Sequence, residues 1–185
     1  MRVNVKAVLI GVLLSLAVIG ALFLPRRDLR SLAQVAGIAL DLEDEKIVAT
    51  FELYVPAVDR PIGTERKVVY GTGETFEECV NSVKKRFGAE LYLNDASVLI
   101  LGSEQLNNEV CSYYSVFAHD HMDLPIFYSY RQKASEIFEG EGAVISTELA
   151  ASAEKMQDFQ TIRDLMNDEG TRVWVRGRGA YEIVL

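Results

Sequence analysis

Histidine, cysteine and tryptophan are scarce in this chain of 185 residues, which holds two histidines, two cysteines and one tryptophan. The cysteines, Cys79 and Cys111, form no CxxC pair and have no histidine beside them at zinc-ligand spacing. A structural zinc site is therefore not indicated. An exported location would permit a disulfide, but the sequence gives no evidence of one, and we expect two free thiols.

The common catalytic signatures are also missing. The chain has no GxSxG nucleophile turn and no Gly-Lys-Ser/Thr phosphate loop. Gly71-Thr72-Gly73 precedes a predicted helix but lacks the third glycine of a dinucleotide site, and Glu74, Glu77 and Glu78 would repel a phosphate there. Carboxylate pairs lie in turns or helix starts, where acids are ordinarily found. We predict no catalytic residue, no cofactor and no enzyme activity.

One short stretch resembles a metal motif. His119-Asp120-His121-Met122-Asp123 is similar to the HxHxDH motif of metallo-β-lactamase-like hydrolases, but Leu124 stands at the sixth position. These are the only histidines of the chain, so further histidine ligands are not available. We interpret the stretch as a charged helix-to-strand turn and predict no metal ligand. A metal-dependent hydrolase at His119 and His121 is the weaker alternative.

Basic residues are in deficit. The formal net charge is −8, and the first 25 residues contain Arg2 and Lys6 but no Asp or Glu, so the rest of the chain is near −10. Affinity for a nucleic acid duplex comes mostly from Lys and Arg, so a nucleic acid partner is excluded. Flat docking on anionic lipid is disfavoured for the same reason.

The chain contains one long apolar segment. Ala7 to Leu24 is an apolar run of 18 residues, interrupted only by two glycines and Ser15. Its length is close to the minimum of about 17 residues for a spanning helix and exceeds a usual signal core. We predict that residues 1–25 form a single-pass membrane anchor, with Ala7, Leu13, Leu16 and Leu24 in the bilayer. A cleaved export signal is the alternative, and residues 26–185 are the predicted domain outside the cytoplasm.

Strand and helix patterns alternate in that domain. Alternating apolar residues in 35–42 and 46–55 predict a β-hairpin, and 66–70 a third strand. Thr75 and Glu78 form a capping box for a helix that ends at Gly88. Further strands are predicted at 97–101, 125–131, 172–176 and 180–185, with helices over 103–118, 134–139, 147–156 and 159–166. The predicted fold is α+β, with one central, mostly antiparallel or mixed sheet and flanking helices.

The order of these features resembles a known family. "LAQVAGIALDLEDEKIVATFEL" is similar to the opening hairpin of the C-subunits of spore germinant receptors, the GerAC or Ger(x)C proteins. "YGTGETFEECVNSV" resembles their G-x-T-x-x-E-A helix start, with Gly73, Thr75 and Glu78 in place. "ELYLNDASVLILGSE" and "YSYRQKASEIFEGEG" resemble the strand and the strand–helix unit that follow. The resemblance covers about residues 29–165.

The resemblance implies a non-catalytic N-terminal domain at the inner spore membrane, with multi-pass membrane receptor subunits as partners. Family members are usually lipoproteins with further C-terminal domains. Here Val18-Ile19-Gly20 resembles the start of a lipobox, but Ala21 stands where the lipidated cysteine belongs. We therefore expect a shortened relative that is held by its apolar segment. An exported domain that binds a small ligand or a cell-wall fragment is the rival interpretation.

Overall fold

The computed structural model describes residues 32–56, 64–139, 145–156, 159–177 and 182–184. The predicted anchor, including Ala7, Leu13, Leu16, Leu24 and the lipobox-like position Ala21, lies outside these ranges and stays a prediction. Within the described ranges, no helix has the length and apolarity needed to cross a membrane.

Eight strands of the described ranges form one sheet. They are β1 (Leu32–Glu43), β2 (Lys46–Pro56), β3 (Thr64–Gly73), β4 (Glu90–Tyr92), β5 (Leu99–Leu101), β6 (Ile126–Ser129), β7 (Val173–Arg176) and β8 (Glu182–Val184). The strand order is β3-β2-β1-β5-β6-β7-β8, and β4 pairs with the beginning of β1.

The first three strands form an antiparallel meander. Leu40 lies opposite Ala49, Asp41 opposite Val48 and Glu43 opposite Lys46, and the register shifts at a bulge between Val35 and Gly37. The apolar pattern sets this register, because a slip of one residue would move each buried side chain to the opposite face of the sheet. The predicted hairpin is confirmed.

The second half of the sheet is parallel. β1 pairs in parallel with both β4 and β5, and the order β5, β6, β7 continues in parallel. β8 returns antiparallel to β7. Helices make the connections: α1 (Phe76–Phe87), α2 (Asn107–Phe117), α3 (Ile145–Ala153) and α4 (Ile162–Asn167), with short 3₁₀ helices at Leu93–Asp95, Glu104–Leu106, His119–His121 and Ala134–Phe138.

Both faces of the sheet are covered. On one face, Ile38 and Leu40 of β1 pack in a cluster with residues of α1, α2 and α4. On the other face, Ala39 joins residues of β5, β6 and β7 under α3 and the Ala134–Phe138 helix. The short central strand β5 is buried on both sides, as the apolar run "SVLIL" predicts. The predicted mixed sheet with flanking helices is confirmed.

Three local predictions need correction. Gly71 to Gly73 continue β3 rather than form a turn, the three-residue strand β4 was not predicted, and residues 134–138 form a 3₁₀ helix. Four strand pairings are parallel, so "mostly antiparallel" describes only the meander and the β7–β8 pair.

Candidate functional site

The histidine stretch forms a short 3₁₀ helix between α2 and β6. Asp120, His121 and Asp123 border a shallow cavity of about 240 Å³, and Asp123 accepts a hydrogen bond of 3.0 Å from Arg163. In the part of the chain that the structure describes, no group of three His, Cys, Asp or Glu residues could hold a metal ion. The arrangement is that of a charged surface turn, as the sequence favours.

The start of α1 is occupied by side chains of the protein itself. Thr75 Oγ1 accepts from the Glu78 amide at 3.2 Å, and the Phe76 amide donates to Glu109 Oε1 at 2.7 Å. The Glu78 carboxylate accepts from the Glu74 amide at 2.8 Å, not from Thr75, so the capping box is only half formed. These carboxylates satisfy the helix donors and bring negative charge, which disfavours a phosphate at this position.

Three of the four segments that carry the family resemblance meet around one buried carboxylate. Asp41, 4% exposed, accepts hydrogen bonds from the amides of Ala134 (2.6 Å) and Ser135 (2.9 Å). A Cβ at Gly102 would lie 2.4 Å from Asp41 Oδ1, so only glycine allows the carboxylate to approach the end of β5. Asp41 therefore fixes the Ala134–Phe138 helix to the ends of β1 and β5, which is a structural role.

A second buried carboxylate joins the meander to the same face. Glu52, fully buried, forms an ion pair with Arg66 and accepts from the Ser146 amide at 3.2 Å. Arg66 also donates to the Phe138 carbonyl at 2.6 Å. The pair thus connects β2 and β3 to the Ala134–Phe138 helix and to α3. Backbone amides and Arg66 engage the two carboxylates, so both are accounted for by the fold.

Both cysteines are free thiols. Burial raises the pKa of Cys79 to about 11, and its thiol donates to the Ile47 carbonyl at 3.3 Å. Burial also raises the pKa of Cys111, which is half-buried. A thiolate nucleophile needs a lowered pKa, so neither cysteine has the environment of a reactive one.

The sequence did not predict a groove of about 590 Å³ over the last strands, lined by Tyr130, Arg131, Arg172, Trp174 and Val184. Tyr128 in β6 and Tyr130 just after it alternate along the chain, and Trp174 lies in β7. This alternation was visible in the sequence. Only the strand order shows that the segment around Tyr130 and the strand that carries Trp174 are neighbours.

The described fold and its polar groups define a class of protein. It is a mixed α/β domain in which the buried acids hold secondary structure together, and in which the motifs with possible chemistry are surface turns and helix caps. The chain belongs to the family of spore germination protein N-terminal domains, whose model matches residues 25–141. No curated protein and no solved structure gives a significant match. The family is involved in spore germination.

Proposed function

We propose that this chain is a non-catalytic, membrane-held subunit, or a paralogue of a subunit, of a spore germinant receptor complex. The family match over residues 25–141 is the observation that carries this proposal. The apolar run at residues 7–24 supports the membrane attachment, since a spanning helix holds far more firmly than a single acyl chain would. The domain acts outside the cytoplasm by contacts with other receptor subunits.

The exposed apolar residues indicate which end of the domain faces the membrane. Tyr92 of β4 lies opposite Gln34, near the start of β1, and is 44% exposed. Phe87 ends α1 just before β4, and Val116 and Phe117 end α2 before β6 begins, all three exposed. Helices that connect parallel strands end where the next strand starts, so these side chains lie at the end of the sheet where β1 begins. We define these four side chains as the apolar end, which also borders the charged turn at residues 119–123.

The apolar end is close to the predicted anchor along the chain. Residues 25–31 separate the apolar run from β1, and seven residues reach at most about 25 Å. The exposed aromatic and aliphatic side chains of the apolar end would therefore lie near the lipid headgroups, where amphipathic rings are stable. This contact requires no positive charge, which agrees with the acidic composition.

A surface for protein contacts lies on β3. This ten-residue strand is the last in the strand order, with β2 as its one strand neighbour among the described residues. Val68 and Tyr70 are 41% and 59% exposed on it. A long edge with exposed apolar side chains is suited to bind an extended segment of another protein. Arg86 donates to the Tyr70 carbonyl and covers part of this edge.

Deletion of the gene tests the proposal. In a strain without paralogues, spores should lose refractility more slowly or not at all after a germinant is added, and the intact gene should restore the response. Fractionation with mass spectrometry should find the protein in membranes, unlipidated and with residues 1–25 attached. Normal germination of the deletion strain would refute the receptor role, whereas a mature N-terminus near Ala21 would refute only the anchor.

A further inference from the structure

The groove over the last strands has an aromatic floor. Trp174 lies opposite Tyr128 of β6 and Val184 of β8, so the three side chains share one face of the sheet. The Trp174 ring is 5.3 Å from the Tyr128 ring and 6.5 Å from the Tyr130 ring. Trp174 is half-buried, its ring is nearly perpendicular to the Tyr130 ring at 80°, and both rings border the groove of about 590 Å³.

Two arginines stand beside this floor. The Arg131 guanidinium lies 4.8 Å from the centre of the Tyr130 ring, and Arg172 donates to Glu104 at 3.0 Å. The charge of Arg172 is therefore partly offset, whereas Arg131 interacts with the face of a ring. Both side chains are exposed and retain N–H groups that can donate to an anion. Both arginines border the same groove, so two cations are available to one ligand.

The loop that carries Arg131 is held in place. Gln132 donates from Nε2 to the Gly177 carbonyl at 2.6 Å and accepts from the Gly177 amide at 3.1 Å. Ser129 Oγ donates to the Gln132 carbonyl at 2.8 Å, and Arg131 has a left-handed backbone with φ 60°. These two hydrogen bonds between Gln132 and Gly177 connect the ends of β6 and β7 and position Arg131 beside the aromatic floor before a ligand binds. This preorganisation lowers the entropy lost on binding.

We propose that this groove is a binding site for a small aromatic carboxylate. The ring of the ligand would stack on Trp174 and meet the Tyr130 ring edge to face, and its carboxylate would accept hydrogen bonds from Arg131, with Arg172 as the second cation. The volume is within the range of about 300–1,000 Å³ for small-molecule sites, and such sites combine an apolar lining with a few placed polar groups. The proposal does not depend on the receptor role or on the membrane anchor.

Fluorescence provides a direct test, because Trp174 is the only tryptophan of the chain. The full chain in detergent is titrated with phenylacetate, with benzyl alcohol as the uncharged ring and with acetate as the charge without a ring. Phenylacetate should change the Trp174 emission in a saturable way, benzyl alcohol should bind more weakly, and acetate should have no effect. A concentration of about 10 mM phenylacetate is high enough to detect even weak, millimolar binding. If the emission shows no saturable change up to that concentration, the proposal is overturned. Equal affinity for benzyl alcohol would overturn the role of the carboxylate.

The chain offers a matched control for Arg131. Arg86 also lies 4.8 Å from the centre of a tyrosine ring, that of Tyr70, but outside the groove. Arg131→Gln should weaken phenylacetate binding about tenfold, the size of one lost charge-assisted hydrogen bond, and should leave benzyl alcohol binding unchanged. Arg86→Gln should change neither. Circular dichroism confirms that both variants are folded, and equal effects of the two substitutions would refute the assignment of Arg131.

Discussion

At the scale of single residues, two buried tyrosines differ in whether the hydroxyl has hydrogen-bond partners. The Tyr128 hydroxyl is bonded to the side-chain amides of Gln160 (3.0 Å) and Asn107 (3.2 Å). Tyr114 is fully buried, and its hydroxyl has no hydrogen-bond partner within the described ranges. A buried hydroxyl without a partner loses its hydration and gains nothing in exchange, so Tyr114 reduces the stability of the fold.

We therefore predict opposite effects of the same substitution. Tyr114→Phe keeps the ring and should raise the free energy of unfolding by about 1 kcal/mol. Tyr128→Phe should lower it by about 1 kcal/mol, because it removes the bonds to Asn107 and Gln160. Guanidinium unfolding measures both, and a loss of stability in Tyr114→Phe as large as in Tyr128→Phe would contradict the prediction.

Thiol reactivity should also differ between residues. Cys79 is buried with a pKa of about 11, and Cys111 is half-buried with a pKa that burial raises. At pH 8, iodoacetamide should modify Cys111 slowly and leave Cys79 unmodified until the protein unfolds, as read by peptide mass spectrometry. The pKa of Cys79 is raised from 9.0 to about 11 on folding, so deprotonation of the thiol favours the unfolded state. The contribution of Cys79 to stability should therefore be complete below pH 9 and be lost as the pH rises from 9 to about 11. Equal labelling of both thiols in the folded protein would argue against this environment.

At the scale of secondary structure, the sequence predicted elements that depend on local patterns. The β1–β2 hairpin follows from alternating apolar residues, and α1 follows from its cap at Thr75 and its stop at Gly88, whose backbone is left-handed with φ 69°. These features act within a few residues of the chain, so they can be recognised without knowledge of the fold.

Elements that depend on distant contacts were missed. β4 has three residues and is defined by its parallel pairing with the start of β1, which no local pattern reports. Gly71 was interpreted as part of a turn, but a Cβ there would lie 2.3 Å from the Cys79 carbonyl. This glycine serves the close approach of α1 to β3. The ligand groove was missed for a related reason, since it combines β6, β7 and β8.

The ion pair of Glu52 and Arg66 is expected to hold several elements together. Arg66→Met leaves the fully buried Glu52 carboxylate without its cation and should lower the free energy of unfolding by about 3–5 kcal/mol. The double variant Glu52→Gln with Arg66→Met should recover part of this loss, because no unpaired charge is left. Guanidinium unfolding of the single and double variants gives the coupling energy.

A surface pair provides the comparison. Asp123 and Arg163 are joined at 3.0 Å, with side chains 80% and 59% exposed. Arg163→Met should lower the free energy of unfolding far less than Arg66→Met does, since solvent screens exposed pairs. If Arg66→Met were as mild as Arg163→Met, the Glu52–Arg66 pair would not be an important link between the meander and the helices.

At the scale of the whole molecule, the chain is acidic but has an apolar end. A formal charge of −8 gives no attraction to anionic lipid, so contact with a membrane must depend on the exposed apolar side chains and the predicted anchor. The opposite end of the sheet carries the Glu43–Lys46 hairpin turn and the Asp41 contacts. Because the two ends of the domain differ in this way, we predict that the apolar end meets the lipid.

Two exposed strand residues allow the orientation to be measured. Tyr92, 44% exposed, lies opposite Gln34, and Leu42, 42% exposed, lies eight residues further along β1, about 26 Å away. A fluorescent label is attached to Tyr92→Cys or Leu42→Cys in a Cys111→Ser background, and the full chain is inserted into vesicles with nitroxide-labelled lipid. Because only the apolar end should meet the headgroups, the label at position 92 should be quenched strongly and that at position 42 weakly. Equal quenching at both positions would show that the domain does not rest on the bilayer in the predicted orientation, even if the anchor is retained.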